Sequence, residues 1–180
     1  FRMALMFSRL AHSFIKNGYY PTDEVTTSRI LNALDSSAGT LRIFDPCCGE
    51  GVALAEVKHH LAECGAQVQA LGVEYDAERA WHAKGLLDTV LHSDIHDVVC
   101  SPRSIGLLFL NPPYGFVVSD KAQTGDTTKR DRLEKMFFRR TFGTLRYGGI
   151  LVLIVPHYVL DSEFAHLIAR NFEREHCSMA

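Results

Sequence analysis

The run Asn111-Pro112-Pro113-Tyr114 carries the most specific chemistry in the chain. Its two prolines fix the backbone, so the Asn111 side-chain oxygen and the Pro112 carbonyl can stand as adjacent hydrogen-bond acceptors. Such a pair suits a planar amino group conjugated to a ring. That nitrogen is a poor nucleophile, and acceptors aimed at its hydrogens favour a pyramidal geometry that returns lone-pair density to it. The effect is electrostatic preorganisation around charge that develops only in the transition state. Tyr114 adds an aromatic face for the planar group, which must leave a duplex to be reached if it is a base. The alternative, a purely structural Pro-Pro turn, fits less well directly after the apolar stretch Ile105–Leu110.

Acidic residues mark three other places. In Asp45-Pro46-Cys47-Cys48-Gly49-Glu50-Gly51 the glycines permit a tight turn and close approach of a ligand to the backbone. A dinucleotide fingerprint requires glycine or alanine where Leu54 stands, and an acid before the glycines suits a pyrophosphate poorly. Asp45 instead suits a ligand carrying an amine. Glu74, in Gly72-Val73-Glu74-Tyr75-Asp76, lies about 20 residues beyond that turn, where a carboxylate can accept hydrogen bonds from both hydroxyls of a ribose. Its alternative role, helix capping, is better filled by Asp76. In Ser93-Asp94-Ile95, Asp94 can accept from an adenine amino group with Ile95 against the ring, or simply serve a turn.

These residues need elements to hold them at strand ends. Apolar spacing predicts an amphipathic helix over 3–16, broken at Gly18, and a second helix capped by Thr22 or Asp23 and running to Leu34. Strands are then expected at 41–44, 68–73, 89–92, 105–110 and 149–155, with helices at 52–64, 77–88, 132–145 and 161–172. Alternation of this kind implies a doubly wound α/β fold, a mostly parallel sheet with helices on both faces. Ligands of such sheets bind beyond the carboxyl ends of the strands, and all four chemical clusters fall there.

The chain has 180 residues, 47% hydrophobic and 22% charged, as expected of one globular domain. It divides into an N-terminal helical segment, 1–35, and a core, 36–180. No apolar run approaches the about 20 residues of a membrane helix. Five cysteines without a paired C-x-x-C pattern suit a reduced, cytoplasmic setting, and the nine histidines show no ligand spacing, so no metal is expected. A net charge of −2 argues against wholesale coating of nucleic acid. Lys121, Lys129, Arg130, Arg132, Arg139 and Arg140 can still form a local phosphate-facing patch, or else a solvated face.

With these motifs in this order, the chain resembles the class I S-adenosylmethionine-dependent methyltransferases, and within them the amino-group enzymes with an N-P-P-Y loop. The order is that of the gamma group of N6-adenine DNA methyltransferases, and it is also similar to a set of uncharacterised bacterial methyltransferase-like proteins. The resemblance covers about residues 18–172. It implies S-adenosylmethionine as cofactor, held by Asp45, Pro46, Cys47, Gly49, Gly51, Glu74, Tyr75, Asp94, Ile95 and Asn111. It further implies that Tyr20-Pro21-Thr22 is the segment that contacts the cofactor's carboxylate, through Thr22, and that Tyr147–Pro156 contains the fifth strand. Cys47-Cys48 replaces the small residues common before the glycines, with packing as the expected role. The chain stops where a sixth strand is expected, so the last strands or a recognition domain are expected from a longer protein or a partner.

The resemblance implies methyl transfer to the N6 amine of adenine in DNA, with Asn111, Pro112, Pro113 and Tyr114 catalytic. Alternatives keep the cofactor and change the acceptor to an RNA base or a protein glutamine amide. A non-catalytic scaffold that binds nucleic acid or a partner is a further alternative, disfavoured by the joint presence of Asp45, Glu74, Asp94 and Asn111.

Overall fold

The computed structural model describes residues 20–115 and 132–172. The helix expected over 3–16, and Lys121, Lys129 and Arg130 of the proposed patch, lie outside these residues.

Helix α1 (Glu24–Ala33) is capped by Asp23, whose carboxylate accepts from Thr26 N. It leads into β1 (Gly39–Asp45), α2 (Val52–Glu63), β2 (Ala66–Glu74), α3 (Ala77–Ala83), β3 (Thr89–His92) and β4 (Ile105–Leu110). Beyond the loop follow α4 (Leu133–Thr141), β5 (Leu145–Leu153) and α5 (Ser162–Asn171). The five strands form one parallel sheet in the order β3-β2-β1-β4-β5, the doubly wound arrangement the alternation predicts.

Side-chain alternation along the central strands builds two cores. Ile43, Leu107 and Phe109 face one way, onto Leu54, Val57 and Leu61 of α2 and Leu87. Phe44, Leu108 and Leu110 face the other way, onto Phe137 and Phe138 of α4 and Phe164 of α5. Every residue of β4 is buried, as a strand covered on both faces requires.

Three boundaries differ from the sequence expectation by four residues or more. Helix α3 ends at Ala83, not near 88, because the following turn swings Leu87 into the core. Asp88 then accepts from Ala70 N at 2.7 Å and pairs with Lys58 at 2.8 Å. Helix α4 stops at Thr141, and the last strand starts at Leu145 rather than Gly149. A 3₁₀ turn, Phe142–Thr144, intervenes, held by Thr144 Oγ1 donating to Thr141 O at 2.7 Å. The Tyr147-Gly148-Gly149 stretch is a bulge inside β5: the register passes from Ile105↔Leu145 to Leu107↔Ile150, with Gly148 at φ +69°.

The order places β1 beside β4, with β2 and β3 to one side and β5 to the other. That junction is the switch point of the sheet, where a crevice opens beyond the strand ends. Asp45 ends one of these strands and Asn111 follows the other. Among the described residues, no helix is long and apolar enough to cross a membrane.

Candidate active site

Asp45 is 4% exposed, and its Oδ1 accepts from Cys47 N at 2.9 Å. Burial, reinforced by the nearby Glu74 charge, pushes its pKa up to about 7. The turn that follows is left-handed at Gly49 (φ +57°) and Gly51 (φ +83°), and Gly51 N donates back to Cys48 O at 2.9 Å. Gly51 caps α2 and lies against α3, where an added Cβ would stand 3.2 Å from Ala83 Cα. Gly51→Ala should therefore combine backbone strain with overpacking, costing about 1–3 kcal/mol. A lower denaturant midpoint at unchanged slope would register the loss; an unchanged midpoint would refute it.

The two cysteines of the turn do different things. Cys48 packs in the core, and its Sγ would lie 2.7 Å from a Cβ on Gly72, so each requires the other to be small. Cys47 Sγ donates to Asn111 O at 3.4 Å and ties the first strand end to the fourth. Burial raises both thiols above their ordinary range, which makes them poor nucleophiles. Pro46, between Asp45 and this pair, is buried.

Glu74 is 5% exposed and bridges two strand ends: its Oε2 accepts from Gly49 N at 2.9 Å. Its Oε1 accepts from Asp76 N at 2.8 Å and from Arg79 Nη2 at 2.9 Å and Nε at 3.2 Å. A carboxylate oxygen has two lone pairs, so in this geometry Oε2 has an acceptor position for one ribose hydroxyl while Oε1 is fully engaged. Capping of α3 falls to Asp76, as expected, through bonds from Glu78 N and Arg79 N.

Tyr75 is 75% exposed, with its ring toward solvent. Asp94 follows the end of β3, where Ser93 N donates to Glu74 O at 3.0 Å. Its Oδ1 caps a 3₁₀ turn by accepting from His96 N at 2.9 Å. Ile95 is 4% exposed and belongs to the core with Val73 and Leu108, so little of its side chain is left for a ligand ring.

Asn111 joins the end of β4 to the segment that precedes α1. Its Nδ2 donates to Tyr20 O at 2.9 Å and to Thr22 Oγ1 at 3.1 Å. Its Oδ1 accepts from Tyr114 OH at 3.2 Å, and the Tyr114 ring stacks on Tyr20 with centroids 4.8 Å apart. Pro112 is buried and Pro113 half-buried. Burial pushes the Tyr114 hydroxyl up to about 12, with the Glu134 charge adding to it, so it is a donor throughout the physiological range. The planar face expected to be open for an acceptor is thus covered on one side by Tyr20.

Arg79 and Glu134 escaped the sequence reading, and Tyr20, expected only as part of the cofactor-contacting segment, takes a further part. Arg79 clamps Glu74, and its place five residues along, in the first turns of α3, is the signal that would have found it. Tyr20 reaches Asn111 through its backbone carbonyl, which no side-chain pattern reveals. Glu134 is fully buried, with neither carboxylate oxygen hydrogen-bonded among the described residues, and has Arg132 Nε at 3.7 Å. It sits in the first turn of α4, where the helix dipole favours a negative charge.

The described part of the expected basic patch is otherwise engaged. Arg140 donates to the carbonyls of Ile95, His96 and Val98, clamping the turn after Asp94. Arg139 lies 3.5 Å from Glu163, and Arg132 lies over the Tyr158 ring at 4.8 Å. Arg140 thus holds the turn under α4, whereas Arg139 and Glu163 form an exposed surface pair.

Hydrogen bonds link Asp45, Cys47, Asn111 and Thr22 in one group and Gly49 and Glu74 in a second, and the two groups together make a set beyond the carboxyl ends of β1, β2 and β4. The set fits a ligand that carries a cationic amine beside a ribose: a buried carboxylate short of a cation, a glycine turn, and one acceptor position left on Glu74.

Solved structures share this architecture. A Listeria monocytogenes protein assigned as a class I S-adenosylmethionine-dependent methyltransferase superposes with a TM-score of 0.69 at 20% identity, covering 85% of this chain and 52% of its own. The methyltransferase subunit of a type I restriction-modification system from Streptococcus thermophilus gives 0.62 at 18% identity, covering 78% of this chain and 35% of its own. A modification subunit assigned to a type I restriction enzyme of Vibrio vulnificus gives 0.54 at 14% identity, covering 79% and 34%. The chain thus spans about half or less of these proteins, and at such identities the likeness is one of fold. No curated sequence matches it. The profile of a methyltransferase family, DUF6094, described as uncharacterised, matches residues 3–177, and the chain belongs to that family.

Proposed function

We propose that this chain transfers a methyl group from S-adenosylmethionine to the exocyclic N6 amine of adenine in DNA. The observation that carries the amine is the orientation of Asn111, whose Oδ1 faces a hydroxyl donor while both Nδ2 hydrogens are consumed elsewhere. An acceptor amine that displaces the Tyr114 hydroxyl meets the same oxygen. DNA is favoured because two of the similar folds are modification subunits of type I restriction systems.

The cofactor is S-adenosylmethionine, which when bound supplies an electrophilic methyl group on a sulfonium. Asp45 would hold its amine, the Gly49–Gly51 turn would admit it closely, and Glu74 would accept from its ribose. Asp94 would accept from its adenine amine, beside Pro46, Cys47, Tyr75 and Ile95. Asn111 Oδ1 and the Pro112 carbonyl would accept from the acceptor amine and favour its pyramidal form, with Tyr114 under the ring. Positioning does most of the work, and the surplus amine proton leaves to solvent.

The test is a panel in which DNA, RNA and protein receive labelled methyl groups from the cofactor, with N6-methyladenine measured in the DNA product. Label in DNA alone supports the proposal. Label confined to RNA bases or to glutamine amides moves the acceptor, and failure of a folded chain to bind either S-adenosylmethionine or S-adenosylhomocysteine refutes the enzyme.

Asp45 makes binding pH-dependent. Because its pKa is raised to about 7, the folded chain keeps a proton that the unfolded chain has already released. Without ligand, stability therefore falls as pH rises from the ordinary carboxylate range to about 7. A cationic amine favours the ionised form, so binding expels that proton. Cofactor affinity should rise about tenfold per pH unit below pH 7, level off above it, and fall again once the cofactor's own α-amine loses its proton at about pH 8. Calorimetry between pH 5.5 and about 8.5 measures this, and Asp45→Asn should flatten the rise. A wild-type profile without that rise would remove Asp45 from the amine site.

A further inference from the structure

Asparagine is nearly symmetrical in shape, yet only one of its two terminal atoms can serve an amine acceptor. Rotated by half a turn, the Asn111 side chain would present Nδ2, a donor, to an amine that is itself a donor. Neither proline of the 111–114 run restrains this rotation, because both act on the backbone.

The restraint comes from 89–91 residues away in sequence. Tyr20 O, at 2.9 Å, is a carbonyl and can only accept, so it selects Nδ2. Thr22 Oγ1, at 3.1 Å, takes the second Nδ2 hydrogen. Thr22 is available for this because capping of α1 falls to its neighbour Asp23. With both hydrogens consumed on one side, Oδ1 is turned toward the acceptor side, where Tyr114 OH now donates to it. The Tyr20 ring, stacked on Tyr114, holds the same segment against the catalytic run.

Resting on the amine acceptor proposed above, we propose that Tyr20 and Thr22 form a positioning element that fixes the Asn111 carboxamide with Oδ1 toward the acceptor amine. Thr22 is then more than a contact for the cofactor. Its hydroxyl accepts from Asn111 and keeps its own hydrogen to donate elsewhere, so one side chain can serve both the catalytic amide and a ligand.

Thr22→Val keeps the shape and removes the acceptor, whereas Thr22→Ser keeps the hydroxyl. Each variant, shown to be folded by its thermal midpoint, is examined in two ways. The first is the side-chain amide resonance pair of Asn111, identified by its loss in Asn111→Ala. The second is methyl transfer at saturating cofactor and acceptor, beside calorimetric cofactor affinity. In Thr22→Val the Asn111 pair should shift and exchange faster with solvent. At saturating cofactor the kcat should fall about tenfold or more, a loss separate from any weakening of cofactor binding through the Thr22 hydroxyl, and Thr22→Ser should restore both the resonances and the rate. An unmoved Asn111 resonance pair in Thr22→Val overturns the inference, as does weaker cofactor binding at unchanged kcat. Absence of methyl transfer by the wild-type chain would instead count against the amine acceptor, a failure read separately from the Asn111 resonances.

Discussion

Asn111→Ala is expected to lower kcat for methyl transfer by about 10²–10³, the usual cost of removing one preorganised group from a transition-state site. The truncation removes Oδ1, which faces the Tyr114 hydroxyl and, by the proposed function, the acceptor amine. It also releases Tyr20 O and Thr22 Oγ1 from their shared donor. Asn111 is half-buried and outside both hydrophobic clusters, so the folded chain should survive the change. Cofactor affinity, set mainly at the ends of the first two strands, should move far less than kcat. Steady-state rates beside calorimetry separate the two, and a variant with wild-type kcat would remove Asn111 from catalysis.

Glu74→Ala should be the most damaging change at the cofactor end, and for two reasons that can be measured apart. Glu74 and Arg79 form an ion pair with side chains only 5% and 14% exposed. Removing one member of a buried pair is among the costlier single changes, at up to about 3–5 kcal/mol. For a chain of this size that corresponds to a drop in thermal midpoint on the order of 10 °C. The same change deletes the acceptor proposed for the ribose, a charged hydrogen bond whose loss should raise the cofactor Kd by about 10- to 150-fold. Glu74→Gln, which retains an oxygen for Gly49 N, should fall between wild type and alanine in both. Unchanged cofactor affinity in a folded Glu74→Ala chain would remove Glu74 from the binding site while leaving its structural role intact.

Glu74 also shows why part of the site could be found in sequence and part could not. Its position at the end of β2, beyond a glycine turn, follows from local pattern alone. Its clamp by Arg79 and its bond to Gly49 depend on how β1, β2 and α3 pack, which no local pattern contains. Ile95 is a parallel case. An apolar residue after a strand-end acid can line a ligand or enter the core, and the tertiary packing buries it beside Val73 and Leu108. Arg140 looked like a surface cation on a helix, but the turn at 95–98 folds under it and offers three carbonyls.

Element boundaries went wrong where a turn serves packing. The stretch after Ala83 has helix-compatible residues, yet Leu87 gains more by entering the core than by extending α3. The glycines at 148–149 read as a turn before a strand, whereas pairing with β4 carries the strand through them as a bulge.

By itself the sequence determined the succession of strands and helices, because apolar periodicity is a local property of the chain. It also put Asp45, Glu74 and Asn111 at strand ends, since each follows directly on an apolar run, with Asp94 two residues beyond the weaker strand 89–92. The tertiary structure alone decided the strand order, which brings Asp45 and Asn111 together across the switch point between β1 and β4. It alone decided which way the Asn111 amide faces, because Tyr20, which selects that orientation, lies 91 residues away in the chain and reaches Asn111 only once the sheet has formed.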